Sequence, residues 1–139
     1  HQQFIMNMKN KLATIKVSDL RLRTYIGFNP DEKEKRQDIV INMTITYRIP
    51  EPALHDVVEE ALNYKTITKQ VISHVEQGRF LLLEKLVSDV LDICSSHRDV
   101  QAAEVTIDKP HALRFADSVS LSMQYDAQQN SPHAMERAS

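Results

Sequence analysis

Ile39-Val40-Ile41-Asn42-Met43-Thr44-Ile45-Thr46-Tyr47 decides the fold. Ile39, Ile41, Met43, Ile45 and Tyr47 fall on one side of an extended chain, and Val40, Asn42, Thr44 and Thr46 on the other. A period of two sustained this long marks a strand with one buried face. Downstream, Ala103-Glu104-Val105-Thr106-Ile107-Asp108 repeats the alternation, and Val119, Leu121, Met123 and Tyr125 alternate with Ser118, Ser120, Ser122 and Gln124. Upstream, the run from Thr14 to Ile26 changes phase: Ile15 and Val17 share one side, whereas Leu20, Leu22 and Ile26 share the other. That switch predicts a bulge or turn at Ser18-Asp19. The second faces are richer in Ser, Thr and Asn than in Lys and Glu, as suits surfaces sequestered from bulk water.

Two helical stretches separate the second strand from the third. Tyr64, Ile67, Val71 and Val75 recur every three or four residues, with Asn63 placed to cap the helix and Gly78 to end it. Leu83, Leu86, Val87, Val90 and Cys94 form a second stripe between about Leu81 and Ser95. The order β-β-α-α-β-β predicts an α+β fold, an antiparallel four-stranded sheet with two helices on one face. One domain over residues 12–126 is expected, with 1–11 and 127–139 as frayed tails.

The 42% hydrophobic and 26% charged residues are ordinary for a globular chain, and the net charge of −2 provides no basic excess for nucleic acid. Cys94 is the one cysteine, so an internal disulfide is excluded. Its helical spacing reads as a small buried hydrophobe. No apolar stretch reaches the roughly 18 residues of a membrane span. His1-Gln2-Gln3-Phe4-Ile5 lacks a signal-peptide pattern, which predicts a cytoplasmic address. His1 reads as a cloning remnant, with Met6 or Met8 as the natural start.

Gly27 and Gly78 are the only glycines, so no glycine-rich phosphate loop can be built. His55, His74, His97 and His111 stand apart, without the spacing of a metal site. Polar residues at element boundaries remain. Lys109 continues the inward phase of Ala103, Val105 and Ile107, and Pro110 then ends the strand's pairing. A lysine aimed inward either snorkels past the strand end or has a partner and a role. Glu84 opens the second helix, where it complements the macrodipole or offers two acceptors to a flat heterocycle with adjacent N–H groups. Tyr64 opens the first helix as a core aromatic or as a ring and hydroxyl for a ligand. Glu32 lies in the charged stretch Asp31-Glu32-Lys33-Glu34-Lys35-Arg36, whose plain reading is a solvated hairpin tip.

Five segments in this order, Leu20–Gly27, Arg36–Asn42, Ala61–Tyr64, Leu82–Leu86 and Ile107–Lys109, resemble the dihydroneopterin aldolase family. Within it, His111-Ala112-Leu113-Arg114-Phe115-Ala116-Asp117-Ser118 resembles the branch that epimerises dihydroneopterin triphosphate at C2′. The resemblance spans roughly residues 12–126. It implies the tunnelling fold, in which subunits close into ring barrels, usually as an octamer of two stacked tetrameric rings. It implies a pterin substrate bound between subunits, with neither cofactor nor metal.

By position, the resemblance assigns Lys109 to general acid/base chemistry through a bound water, with Glu32 positioning it and Tyr64 of an adjacent subunit joining proton transfer. Glu84 would anchor the pterin, helped by backbone near Leu83 and Leu62 and by Asn63 in the same stretch. Arg23, His111 and Arg114 are the candidates for the triphosphate. The implied reaction is retro-aldol cleavage followed by re-addition, giving 7,8-dihydromonapterin triphosphate. The alternatives are an aldolase releasing 6-hydroxymethyl-7,8-dihydropterin and glycolaldehyde, or a non-catalytic pterin-binding paralogue. Two departures place the aldolase second. Pro110-His111-Ala112-Leu113-Arg114 lacks the glycine common in the aldolase turn, and Ile26 stands where aldolases often carry histidine.

Overall fold

The computed structural model describes residues 11–129. The long strands are β1 (Leu12–Ile26), β2 (Gln37–Arg48), β4 (Val100–Pro110) and β5 (Ser118–Asp126). The long helices are α3 (Tyr64–Gln77) and α4 (Leu83–Ser95). A short α1 (Pro30–Glu34) occupies the charged stretch expected as a hairpin tip, and α2 (Glu51–Leu54) leads into a 3-10 turn at Val58–Glu60. Hydrogen bonding runs one residue past 12–126 at each end: Ile49 N–H donates to the Lys11 carbonyl and Ala127 N–H to that of Gln101. Most of both expected tails, 1–10 and 130–139, lies outside the described residues.

One correction concerns the sheet. It has five strands in the order β3-β1-β2-β4-β5, because Arg79–Phe80 forms a strand, β3, parallel to Tyr25–Ile26. Two residues are too few to display a period, so this element left no pattern in the sequence. The other pairings are antiparallel. The register of β1 slips between Val17 and Leu20 at the expected bulge. There Asp19 takes φ 56° and its N–H donates to Oδ1 of Asn42 at 3.0 Å.

The helices cover one face of the sheet. Ile67, Val71 and Val75 of α3, and Leu86, Val87, Val90, Leu91 and Cys94 of α4, bury against Ile39, Ile41, Met43, Ile45, Val105 and Ile107. Each such side chain removed from water contributes about 1.5–3 kcal/mol before entropy is counted. Tyr64 departs from its stripe: it is 49% exposed, since the first helical residue overhangs the sheet. Burial pushes the Cys94 thiol up to about 12, consistent with a packing role. The Asn63 side chain caps α3 by accepting from Thr66 N–H at 3.1 Å.

Gly78 closes α3 by a different route from a left-handed cap. A β-carbon there would stand 2.6 Å from the Phe80 ring, so close packing demands the glycine. Thr24 is the buried polar residue of the described core, and its hydroxyl donates to the Val75 carbonyl at 2.6 Å. This bond fixes the end of α3 to β1 and therefore fixes where β3 begins. Among the described residues, no helix is long and apolar enough to cross a membrane.

Candidate active site

Lys109 keeps the inward phase to the end of β4, where the side chain is 13% exposed. Its partner is Glu32, 77 residues earlier in the chain: the Lys109 ammonium donates to the Glu32 carboxylate. Pro30 at the start of α1 has the backbone angle a helix wants there. Two residues on, Glu32 reaches back, and its Oε1 accepts from Asn29 N–H at 3.4 Å. Gln37 Nε2 donates to the other carboxylate oxygen at 3.4 Å and also to the Ile26 carbonyl. The Lys109 hydrogen bond holds the Glu32 carboxyl below its ordinary value of 4.5, outweighing a burial penalty that acts the other way.

Gln37 was not marked by the sequence reading, although a signal for it existed. It shares the inward phase of Ile39 and Ile41 at the start of β2, as Lys109 does at the end of β4. A polar side chain on an apolar phase at a strand terminus identifies both. Gly27 completes the cluster. Its φ is +128°, and a β-carbon on it would overlap the carboxyl group of Glu32.

The short β3 draws the second carboxylate to this end of the sheet. Gly27 N–H donates to the Phe80 carbonyl at 2.9 Å, and α4 starts three residues later at Leu83. Glu84 therefore sits in the helical turn next to the Gly27–Glu32 corner. It is exposed and has no hydrogen-bond or ion-pair partner among the described residues, while Leu83 packs against the core. The same corner carries an element that the sequence reading missed. Arg79 lies over the Tyr25 ring at 3.9 Å and donates to the Lys33 carbonyl, while Arg36 lies 5.5 Å from that ring.

Tyr64, Asn63 and buried Leu62 lie elsewhere. The end of α3 is the part bonded to Thr24, so its fourteen residues carry Tyr64 about 20 Å away. Tyr64 faces Ile15, Lys16 and Val17 in the first half of β1. Within one chain the structure thus joins Lys109 with Glu32, brings Glu84 to their end, and leaves Tyr64 at the other.

The expected phosphate ligands also divide. Arg23 and His111 line one depression of about 420 Å³ beside Pro110. Arg23 pairs with Asp38 at 3.2 Å, and His111 turns the chain at φ 61°. Arg114 is in the exposed 111–117 loop over the ring of Phe115. Between α3 and α4, Asp89 binds His74 at 2.7 Å and Lys85 at 2.9 Å. Burial alone would raise the Asp89 carboxyl, but these hydrogen bonds prevail and hold it down. No group of three His, Cys, Asp or Glu side chains is arranged to hold a metal among the described residues.

The family model described as FolB, dihydroneopterin aldolase, matches residues 15–124, a span that contains every member of this arrangement. The chain belongs to the dihydroneopterin aldolase family. Within the family, it is 52% identical over 118 residues to the dihydroneopterin triphosphate 2′-epimerase of Escherichia coli strain K12, covering 85% of this chain and 98% of the relative. It is 49% identical over 112 residues to the enzyme of that name from Pseudomonas aeruginosa, covering 81% and 91%. Among solved structures, it superimposes on an E. coli dihydroneopterin aldolase in complex with neopterin with a TM-score of 0.74. That match has 25% identity and covers 81% of this chain and 98% of the other. The aldolase family fold is therefore shared, while sequence identity lies well toward relatives named as epimerases.

Proposed function

We propose that this protein epimerises 7,8-dihydroneopterin triphosphate at C2′, giving 7,8-dihydromonapterin triphosphate by retro-aldol cleavage and re-addition. The observation that carries this reading is the Lys109–Glu32 pair beside a helical turn bearing an unpartnered Glu84. It is an acid/base group next to a free bidentate acceptor, in a chain half identical to enzymes of that name.

Glu84 would accept two hydrogen bonds from the pterin's amino and ring N–H edge, with backbone at Leu83 and Leu62 and the Asn63 stretch completing the seat. Lys109, held by Glu32, would exchange the C2′ hydroxyl proton through a bound water. Loss of that proton makes C2′ a carbonyl carbon and breaks the C1′–C2′ bond, because the departing aldehyde carries C2′ and C3′. The bonding pair passes through C6 to the ring imine nitrogen, which takes up a proton. Re-addition of C1′ to the opposite face of the aldehyde reverses each step and inverts C2′, with no net oxidation. Arg23 and His111, beside the end of β4, and Arg114 in the following loop would donate hydrogen bonds to the phosphates.

Because α3 carries Tyr64 to the first half of β1, away from the end of the sheet that holds Lys109, a site using both draws them from two copies. The open edge of β5 and the length of β1 that the two-residue β3 leaves uncovered suit such an assembly, and an octamer of two stacked rings in the cytoplasm is the arrangement proposed.

The test is a product assay on purified protein with dihydroneopterin triphosphate and dihydroneopterin, separating the pterins after oxidation. Monapterin triphosphate as the main product supports the epimerase. Hydroxymethyldihydropterin dominating from the unphosphorylated substrate makes the protein an aldolase. Turnover no greater than that of Lys109→Ala on either substrate refutes catalysis at this site.

A further inference from the structure

We propose that Gln37 is a positioning residue of the reaction, holding the Glu32 carboxylate in place while Lys109 passes its proton to and from the substrate. The inference rests on the epimerase reading. Gln37 opens β2 on its inward phase, opposite Thr24 of β1, and is half-buried. Its amide has a fixed orientation. Nε2 faces two acceptors, the Ile26 carbonyl and Glu32 Oε2 at 3.4 Å, and only the nitrogen end of a carboxamide can donate to both. The Ile26 bond orders the side chain, so the second N–H is aimed at Glu32 with little further loss of freedom.

Glu32 needs such a hold. It rides on α1, a helix of five residues none of which is buried, so no core contact fixes its carboxylate. The fixing falls to three donors: Asn29 N–H on Oε1, and the Lys109 ammonium and Gln37 Nε2 together on Oε2. Lys109 is the one charged group of the three, and it is also the one whose charge must change during the reaction. Loss of its proton removes the ionic attraction between the pair. Gln37 then remains as a donor on the same oxygen.

The shared oxygen has a chemical consequence. A lysine and a carboxylate side by side can settle their proton between themselves as amine and carboxylic acid, and the substrate then receives nothing. An N–H on Oε2 stabilises the carboxylate and not the acid, which makes that transfer less favourable. Lys109 is the leading influence that holds the Glu32 carboxyl down against burial, and the Asn29 and Gln37 bonds add to it. The Lys109 proton is thereby left for the bound water and the C2′ oxygen. Gln37 touches neither of these and acts through Glu32. At 3.4 Å the contact is longer than charged hydrogen bonds usually are, as fits a donor that takes over when Lys109 lets go.

The experiment introduces Gln37→Met, which keeps the side chain's length and loses its donors, into the full chain and into its Glu32→Gln variant. Thermal unfolding checks folding, and Gln37→Glu, of the same shape, takes its place should Gln37→Met fail to fold. With dihydroneopterin triphosphate, kcat is expected to fall roughly tenfold, as loss of a hydrogen bond to a charged group does, with KM nearly unchanged. In the Glu32→Gln background the same substitution should change kcat little, because the two side chains act as one unit. Carbon-13 NMR of the glutamate carboxyls, with the Glu32 signal assigned by its absence from Glu32→Gln, reads the carboxylate without turnover. That signal should titrate at higher pH once Gln37→Met is made, and higher still in Gln37→Glu, where a like charge faces it. An unmoved titration, an unchanged kcat, an equal loss of kcat in both backgrounds, or an effect on KM alone overturns the proposal. If the unmodified protein turns over neither pterin, the epimerase reading falls, and the NMR titration alone decides whether Gln37 holds Glu32.

Discussion

The carboxylate of Glu32 lies against the α-carbon of Gly27, in the space a β-carbon would need. Gly27 holds φ +128°, a region closed to most side chains, and its N–H is bonded to β3. The glycine thus gives Glu32 room to reach Lys109 and at the same point ties β1 to the strand that leads to Glu84.

Gly27→Ala should therefore damage more than the backbone. Strain at such a φ costs about 1–3 kcal/mol, and the added methyl must displace Glu32. We expect a lower unfolding midpoint in urea together with a large drop in kcat. Combining it with Glu32→Ala should recover part of the stability but none of the activity. A double variant no more stable than Gly27→Ala would show that the overlap is harmless.

The Glu32–Lys109 pair should appear in the acid limb of stability. The Glu32 carboxyl is lowered in the folded chain, so its contribution is full above 4.5 and is lost as pH falls through the lower folded value. Glu32→Gln should be less stable than the unmodified protein at about pH 7, with the gap closing below pH 4.5. Urea titrations across that window check the sign. A gap that widens toward acid contradicts the pairing.

Glu84 offers the opposite profile. With no partner to lose, Glu84→Ala should leave the unfolding midpoint close to unchanged while pterin binding weakens roughly ten- to hundredfold. Fluorescence titration with neopterin reads the affinity. Unaltered binding would remove Glu84 from the site.

Thr24 tests the scaffold alone. Thr24→Val keeps the shape but leaves buried carbonyls of Val75 and Gly78 short of a donor, which costs about 1–3 kcal/mol. The expected result is a lower midpoint with kcat nearly intact at a temperature where the variant is folded. Restored stability in Thr24→Ser would assign the effect to the hydroxyl.

The sequence revealed the parts that have a period. The four long strands, the two stripes on α3 and α4, the slip at Ser18-Asp19 and the cap at Asn63 could all be read from spacing. Lys109 was visible because a charge broke an apolar phase, and Gln37 obeyed the same rule unnoticed. β3 had no comparable signal: its two residues are placed by the Thr24 bond, the Gly78 contact with Phe80 and the Gly27 bond, all of them tertiary. The meeting of Glu32 with Lys109 has no local signal either, since 77 residues separate them, and was expected only from the family resemblance.

The separation of Tyr64 from Lys109 within one chain makes a prediction for mixtures. On the proposed assembly, a Lys109→Ala subunit still carries a sound Tyr64, and a Tyr64→Phe subunit a sound Lys109. Each alone forms rings in which every site is defective. Unfolded together and refolded, the two should generate hybrid rings in which some interfaces pair both intact residues, so that two dead preparations yield a live one. The recovered fraction should follow the statistics of random neighbours around a ring, which turns catalysis into a count of subunit boundaries.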